Sequence, residues 1–493
     1  MNSRIRRLAV GLLIAYLVLF VQLNVVQVSK STELNADVRN SRQTTRAFNR
    51  NRGPILSADG VAVAETLPST DERFKFQRNY PTGGLFANIT GYWSYAFGAT
   101  QVEKIHDKVL SGSTTDQNIN ALPNLFDRNL DTSGAVALTV RADLQLVARD
   151  LLAGREGSVV MLDPRTGAVL AMYSEPTFDP NLVAVHTSAD AEKALTFLDA
   201  SPGKPLLANA YQERYMPGST FKVVTTTAAL ETGGLTLDRI FEPENAYTPP
   251  QTTDPIENYG GSTCGGDFAT VFAKSCNTPF ARLAVELGAE QMVLAADRFG
   301  LNEAPPIDLP RPAASHFGKV EDFTDNIPLL AIRGFGQNED AVTPLQMAMI
   351  AGSVANVGNM MSPYVVAETR DHDGGVLSRT EPKVWRTPMT AQTATTLTQL
   401  MVKVVNEGTA KCCMQLANGV QAAAKTGTAQ LNSNGEPQRS HAWIMAFAPA
   451  EAPRLAISVV LKGTTDEISA GTGGRLAGPI AQQMLDKAIE VGL

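Results

Sequence analysis

The most apolar stretch lies at the start of the chain, where "LAVGLLIAYLVLFVQLNVVQV" runs from Leu8 to Val28 behind Arg4, Arg6 and Arg7. Its length matches the roughly 20 residues that a helix needs to cross a bilayer. The arginines predict a cytoplasmic N-terminus, with the rest of the chain outside. Gln22, Asn24 and Gln27 weaken the outer third of the span. The competing reading is a cleaved signal peptide; against it, the run exceeds the usual signal core and no small-x-small site follows. Residues 29 to about 50 are polar and read as an extended stalk.

Further along, "DLQLVARDLLAG" (143–154) has helical spacing and stops at Gly154. "GSVVMLDPRTGAVLAMYS" begins at residue 157 as two apolar runs around a Pro/Gly turn, the pattern of a buried β-hairpin. About 250 residues of helical patterns and loops follow. Three strand patterns then close the chain, "VQAAAKTGTAQ" (420–430), "HAWIMAFAPA" (441–450) and "RLAISVVLKG" (454–463), before a last helix, "AGPIAQQMLDKAIEVG". Two early strands, three late ones and a helical middle predict one sheet built from both ends of a domain, with helices over it.

The chain has 493 residues, enough for two or three domains. A net charge of −7 and the lack of a basic block after residue 7 argue against nucleic-acid binding. The five histidines (106, 186, 316, 372 and 441) are scattered, and no zinc spacing is present, so neither metal nor cofactor is implied. Cys264 and Cys276 stand close enough for a short disulfide loop in an oxidising compartment. The alternative there is buried free thiols. Cys412 and Cys413 are adjacent, and neighbours in sequence rarely bridge each other without strain.

The candidate chemistry centres on "YMPGSTFKVVTTTAALETGG". Ser219 sits where a helix should begin, facing unpaired backbone N–H groups and the positive dipole end. Lys222, one turn on, shares its face, so its amine can reach the serine oxygen. The rest of that helix is apolar or β-branched, as in a buried helix. A lysine buried there loses proton affinity and becomes a usable base. Ser-x-x-K alone arises about once by chance in such a chain, and Ser201–Lys204 is a second instance, with Pro-Gly inside it. An ordinary N-cap serine with a snorkelling lysine is the bland reading. Two later elements change the balance: Ser275-Cys276-Asn277 in "KSCNTPF", and Lys425-Thr426-Gly427 in "AAKTGTAQ". Alone, each reads as a polar helix kink or an exposed strand lysine. Their order and setting after Ser219 make the combination specific.

With these motifs the chain resembles a class B penicillin-binding protein, a monofunctional D,D-transpeptidase of peptidoglycan synthesis. "NRGPILSADGVAVAET", "RNYPTGG", "LTVRADLQ", "VVMLDPRTGAVLAM", "GFGQNEDAVTPLQMA" and "EGTA" are also similar to family text, over roughly residues 50 to 490. Ser57-Ala58 departs from the more usual Asp-Arg. The resemblance implies an α+β chain in three parts. Residues 1–28 are the cytoplasmic tip and anchor, 29–155 a small mixed non-catalytic pedestal or dimerisation domain, and 156–493 a serine β-lactamase/transpeptidase-like domain with a mainly antiparallel sheet covered by helices. It implies that Ser219 attacks stem peptides ending in D-Ala-D-Ala and that Lys222 takes its proton. Ser275 relays a proton to the departing D-alanine with support from Lys425, and Asn277 binds the substrate amide and holds Lys222. Ser219 and Thr428 supply oxyanion N–H groups, Thr426 and Thr428 grip the terminal carboxylate, and Gly427 leaves room for substrate at the strand edge. β-Lactams acylate Ser219 and remain. The implied partners are peptidoglycan, β-lactams, membrane lipid along residues 8–28, and glycosyltransferase or division and elongation proteins of a bacterial cell membrane. A Cys264–Cys276 bridge would tie catalysis to redox state.

Rival readings stay open at this stage. A serine β-lactamase needs a deacylating base, and neither Glu321 nor Glu339 sits in a recognisable pattern. A D,D-carboxypeptidase would differ only in using water as acceptor. A β-lactam sensor needs more spans than one. For a bifunctional glycosyltransferase, residues 29–155 are too few. A silent cell-wall scaffold is disfavoured by the intact Ser219, Lys222, Asn277 and Lys425.

Overall fold

The computed structural model describes residues 3–29, 41–117, 131–431 and 439–493. Its contacts divide the chain into two units, residues 1–51 with 66–77, and residues 52–65 with 78–493. The first unit holds helix α1 (Ser3–Asn24), part of the single described helix long and apolar enough to cross a membrane, with a mean hydropathy of 2.3 over its best window. Part of the expected stalk, residues 30–40, lies outside the described residues. Beyond it Ser41–Ala47 is helical rather than extended. Asn49 receives Lys75 N–H at 3.0 Å, and Phe48 meets Phe74 edge-on at 5.8 Å, so a polar and an aromatic contact define that helix end.

Nine strands matter to the site's placement, all in the second unit except the last three residues of β2: β1 (Ile55–Leu56), β2 (Ala62–Pro68), β3 (Ala135–Leu138), β4 (Gly157–Leu162), β5 (Val169–Glu175), β6 (Val366–Arg370), β7 (Ala423–Leu431), β8 (Arg439–Ala448) and β9 (Leu455–Leu461). One sheet runs β7-β8-β9-β4-β5, all antiparallel, so the two early and three late strands do share a sheet. Every residue of β4 and β9 is buried. Such strands need cover on both faces, which explains their unbroken apolar text. The cover is helical: α2 (Ala142–Leu152) lies on β5, α6 (Pro344–Ala355) packs on β9 and β4, and α8 (Gly478–Glu490) packs on β9 and α2. Between α2 and α6 come α3 (Lys222–Glu231), α4 (Phe268–Lys274) and α5 (Thr278–Arg298); α7 (Ala391–Asn406) follows α6.

A second sheet joins distant text. β1 pairs antiparallel with β2 (Ile55 opposite Ala64) and parallel with β3 (Ile55 opposite Val136), and β3 pairs antiparallel with β6 (Leu138 opposite Val366). Beside it lies a buried charge cluster. Glu103 Oε2 accepts from Arg52 Nε and Oε1 from Arg78 Nε, both at 2.7 Å, and Tyr80 Oη donates to Oε1 at 3.1 Å. Burial opposes the Glu103 charge, but Arg78 and Arg52 outweigh it and hold the carboxyl below its ordinary range. Glu103→Ala would leave two guanidinium groups buried without their shared anion. We expect a loss of about 3–5 kcal/mol, read as a lower midpoint in thermal melting, because breaking a buried pair costs more than the pair itself contributes.

Candidate active site

Ser219 lies in a 3₁₀ turn, Gly218–Phe221, that runs directly into α3. The turn is held from two sides. Gly218 N–H donates to Gly336 O at 2.8 Å, and Trp443 Nε1 of β8 donates to Met216 O at 2.9 Å. Beneath it Phe221 stacks on Phe317 at 5.2 Å. Gly218 has φ +54°, and a Cβ there would press on Thr428 O; a Cβ at Gly427 would press on Pro217 O. The two glycines let the serine turn lie directly against β7. Gly427 thus has a packing reason beside the expected one: a side chain there would meet the protein's own serine turn.

Lys222 is fully buried along with most of α3. Its amine donates to Ser275 O at 2.8 Å and Asn277 Oδ1 at 2.8 Å, with Ser275 Oγ at 3.4 Å. Ser275 ends α4 in the left-handed region, φ 62° and ψ 39°, and this sharp corner turns its hydroxyl toward the lysines. The sequence-level helical text thus contains a break at Ser275 between α4 and α5. From β7, Lys425 Nζ donates to Ser275 Oγ at 2.8 Å and to Thr426 O at 3.0 Å. Burial, then the neighbouring Lys425 charge, push the Lys222 amine well below its ordinary value. Burial alone brings Lys425 down to about 7. Two ammonium groups facing one hydroxyl repel, which favours the neutral form of Lys222. A neutral amine has two N–H bonds, and Ser275 O and Asn277 Oδ1 take both. Its lone pair is left to accept a proton.

On β7, Thr428 O accepts from Gln337 Nε2 at 3.3 Å, on the edge away from β8. The N–H and C=O of one antiparallel residue point to the same edge, so Thr428 N–H faces that edge too. Thr428 Oγ1 accepts from Gly473 N–H at 3.4 Å, and Thr426 Oγ1 pairs with Thr409 Oγ1 at 2.5 Å. A Cβ at Gly473 would strike Trp443 O and Gly427 O, so this loop is seated tightly behind the strand. The structure also joins Cys264 to Cys276, with Cα atoms 5.7 Å apart, inside the Ser-x-Asn corner. Cys412 is joined to Cys413 against the sequence expectation. That pair lies in a turn segment where adjacent sulfurs converge, which spacing alone did not predict.

All of Ser219, Lys222, Ser275, Asn277, Lys425, Thr426, Gly427 and Thr428 therefore come from three segments that the fold brings together. Thr409, Gln337, Gly473 and Asn258 join them without having been singled out as site residues. Thr409 and Gln337 lay within the quoted "EGTA" and "GFGQNEDAV" text, and Asn258 carried no local signal. Among the described residues, no group of three or more His, Cys, Asp or Glu side chains is arranged to hold a metal ion.

Comparison with known proteins gives a consistent picture. The penicillin binding protein transpeptidase domain profile matches residues 157–486, and the penicillin binding protein A dimerisation domain profile matches residues 52–136. The peptidoglycan D,D-transpeptidase PbpA of Mycolicibacterium smegmatis is 37% identical, covering 100% of both chains. The protein of that name from Mycobacterium tuberculosis is 35% identical, covering 99% of each. Among solved structures, penicillin-binding protein A from M. tuberculosis, as a ceftriaxone acyl-enzyme complex, superimposes with a TM-score of 0.83 at 34% identity, covering 90% of this chain and 100% of that one.

Proposed function

The chain belongs to the penicillin-binding protein transpeptidase family, and we propose that, as a serine D,D-transpeptidase of peptidoglycan, it carries its acyl group on Ser219. The observation that carries this reading is the Lys222 amine, desolvated and with both its N–H bonds occupied, one turn after that serine. Ser219 Oγ attacks the penultimate carbonyl of a stem peptide ending in D-Ala-D-Ala while its proton passes to Lys222. The N–H groups of Ser219 and Thr428 stabilise the oxyanion as it forms. Ser275 Oγ, accepting from Lys425, gives its proton to the departing D-alanine nitrogen as the peptide bond breaks and takes one back from Lys222, so that the proton removed from Ser219 leaves with D-alanine and Lys222 is neutral again. An amine of a second stem peptide then attacks the ester and loses a proton to the neutral Lys222, which returns it to Ser219 Oγ as the ester bond breaks and the new amide forms. Asn277 holds Lys222 and the substrate amide, and Thr426 and Thr428 bind the terminal carboxylate. A β-lactam opens on Ser219 in the same way, but its amine stays tethered and blocks the acceptor.

On this reading Arg4, Arg6 and Arg7 stay inside the bacterial cell membrane and the residues after Val28 lie outside it, as the charge bias favours. Residues 29–155 form the pedestal, 156–493 the catalytic part, and the pedestal docks glycosyltransferase or division and elongation proteins.

The test is to incubate the full chain in detergent with a fluorescent penicillin and follow intact mass over hours. A single lasting adduct, mapped to the tryptic peptide Tyr215–Lys222, is expected. Rapid turnover of the penicillin would mean a hydrolase. D-alanine release from a stem peptide that stays independent of an added amine would mean a carboxypeptidase.

A further inference from the structure

Helix α5 begins immediately after Asn277, at its N-cap position. Asparagine is among the best N-caps because its side-chain oxygen ordinarily accepts an early N–H of its own helix. Asn277 makes no such bond: its Oδ1 accepts from Lys222, and its Nδ2 donates to Glu257 O at 3.1 Å. The backbone at this corner is held instead from outside the helix. Asn258, 3% exposed, accepts on Oδ1 from both Asn277 N–H at 2.7 Å and Thr278 N–H at 3.1 Å. Pro279, in the first turn, has no N–H to satisfy. The other end of the Asn258 amide is fixed as well, donating to Glu244 O at 2.8 Å and Thr278 Oγ1 at 3.4 Å.

We infer that Asn258 is a positioning residue of the transpeptidase site: by accepting the N–H groups of Asn277 and Thr278 at the start of α5, it fixes the backbone from which the Asn277 side chain holds the Lys222 amine. Without Asn258, the N–H groups of Asn277 and Thr278 lose their acceptor and the first turn of α5 is free to shift. A shift of that turn would take the Asn277 Oδ1 off Lys222. The short strand pair Ala246–Tyr247 and Ile256–Glu257 carries Asn258 to its place. That pairing brings it to Asn277 across a separation in sequence that no motif spans. The inference rests on the roles proposed above for Lys222 and Asn277.

The test separates positioning from plain stability. Stopped-flow acylation of the full chain in detergent by a fluorescent penicillin gives the first-order constant at saturation and the Kd of the preceding complex. Asn258→Ala is expected to lower the first-order constant about 100-fold, the scale of an ångström-level misplacement of a reacting group, with Kd nearly unchanged. Asn258→Asp keeps an acceptor for both N–H groups and should recover most of that loss. Thr390→Ala removes the cap of α7, where Thr390 Oγ1 accepts Thr393 N–H at 3.3 Å. It should lower the melting temperature without slowing acylation. An unchanged first-order constant in Asn258→Ala overturns the inference. So does a fall matched by Thr390→Ala at equal loss of melting temperature. If Asn258→Ala does not fold, Asn258→Asp decides: a folded Asp variant at wild-type rate supports the inference, and a folded but slow one overturns it. A wild-type chain with no adduct on Tyr215–Lys222 would overturn this inference together with the site reading, whereas normal wild-type labelling with an indifferent Asn258→Ala would overturn this inference alone.

Discussion

Ser219→Ala is expected to abolish penicillin labelling while leaving the chain folded. The half-buried hydroxyl is the only group removed, and the turn around it is held by the bond from Gly218 N–H to Gly336 O and by that from Trp443 Nε1 to Met216 O rather than by the serine side chain. Stability should therefore stay within about 0.5 kcal/mol of wild type, as for substitutions that touch no buried network. The loss of rate is of another order, since removing a covalent nucleophile costs about 10⁶-fold in a serine acyl-transfer site. Intact mass after incubation with penicillin, alongside a thermal melt, reads both. Labelling of the variant at the wild-type rate would refute Ser219 and direct attention to Ser275, or to Ser201 in the other Ser-x-x-Lys.

Lys222→Ala should be the next most damaging change, slowing acylation about 10³-fold, within the range that a positioned general base supplies. Its pH signature is as informative as its size. Lys222 has an amine pushed well below its ordinary value, so it is neutral and competent above that lowered pKa and protonated below it. Wild-type acylation should accordingly fall on the acid side. Lys425 acts in the opposite sense: its proton supports Ser275, and it is lost as pH rises through about 7. The profile of the first-order acylation constant should be bell-shaped, and Lys222→Ala should lose the acid limb but keep the alkaline one. An acid limb unchanged in the variant would mean that another group is the base.

Much of this site was readable in one dimension because its pieces are local. Ser219 and Lys222 share a turn, Ser275 and Asn277 stand two residues apart, and Lys425 to Thr428 are consecutive on one strand. The apolar N-terminal helix was equally plain, since its text from Leu8 to Val21 carries no charged residue. So was the sheet of β4, β5 and β7–β9, whose buried strands read as continuous apolar text.

The tertiary structure decided what depends on pairs far apart in sequence. An asparagine in a loop is a commonplace, and nothing near Asn258 marks it as the cap of a helix that starts twenty residues later. Thr409 and Gln337 became site residues through contacts with Thr426 and Thr428 that only packing creates. β6 joined β3 across more than 200 residues. Even the depressed Lys222 amine was only half legible. The apolar helix foretold its burial, but the second cause, the Lys425 charge, exists only once β7 lies against the serine turn. Sequence alone determined which groups could do the chemistry, because bonding along the chain fixes local spacing. Which of them meet, and which of their protons are held, was decided by close packing around Gly218 and Gly427.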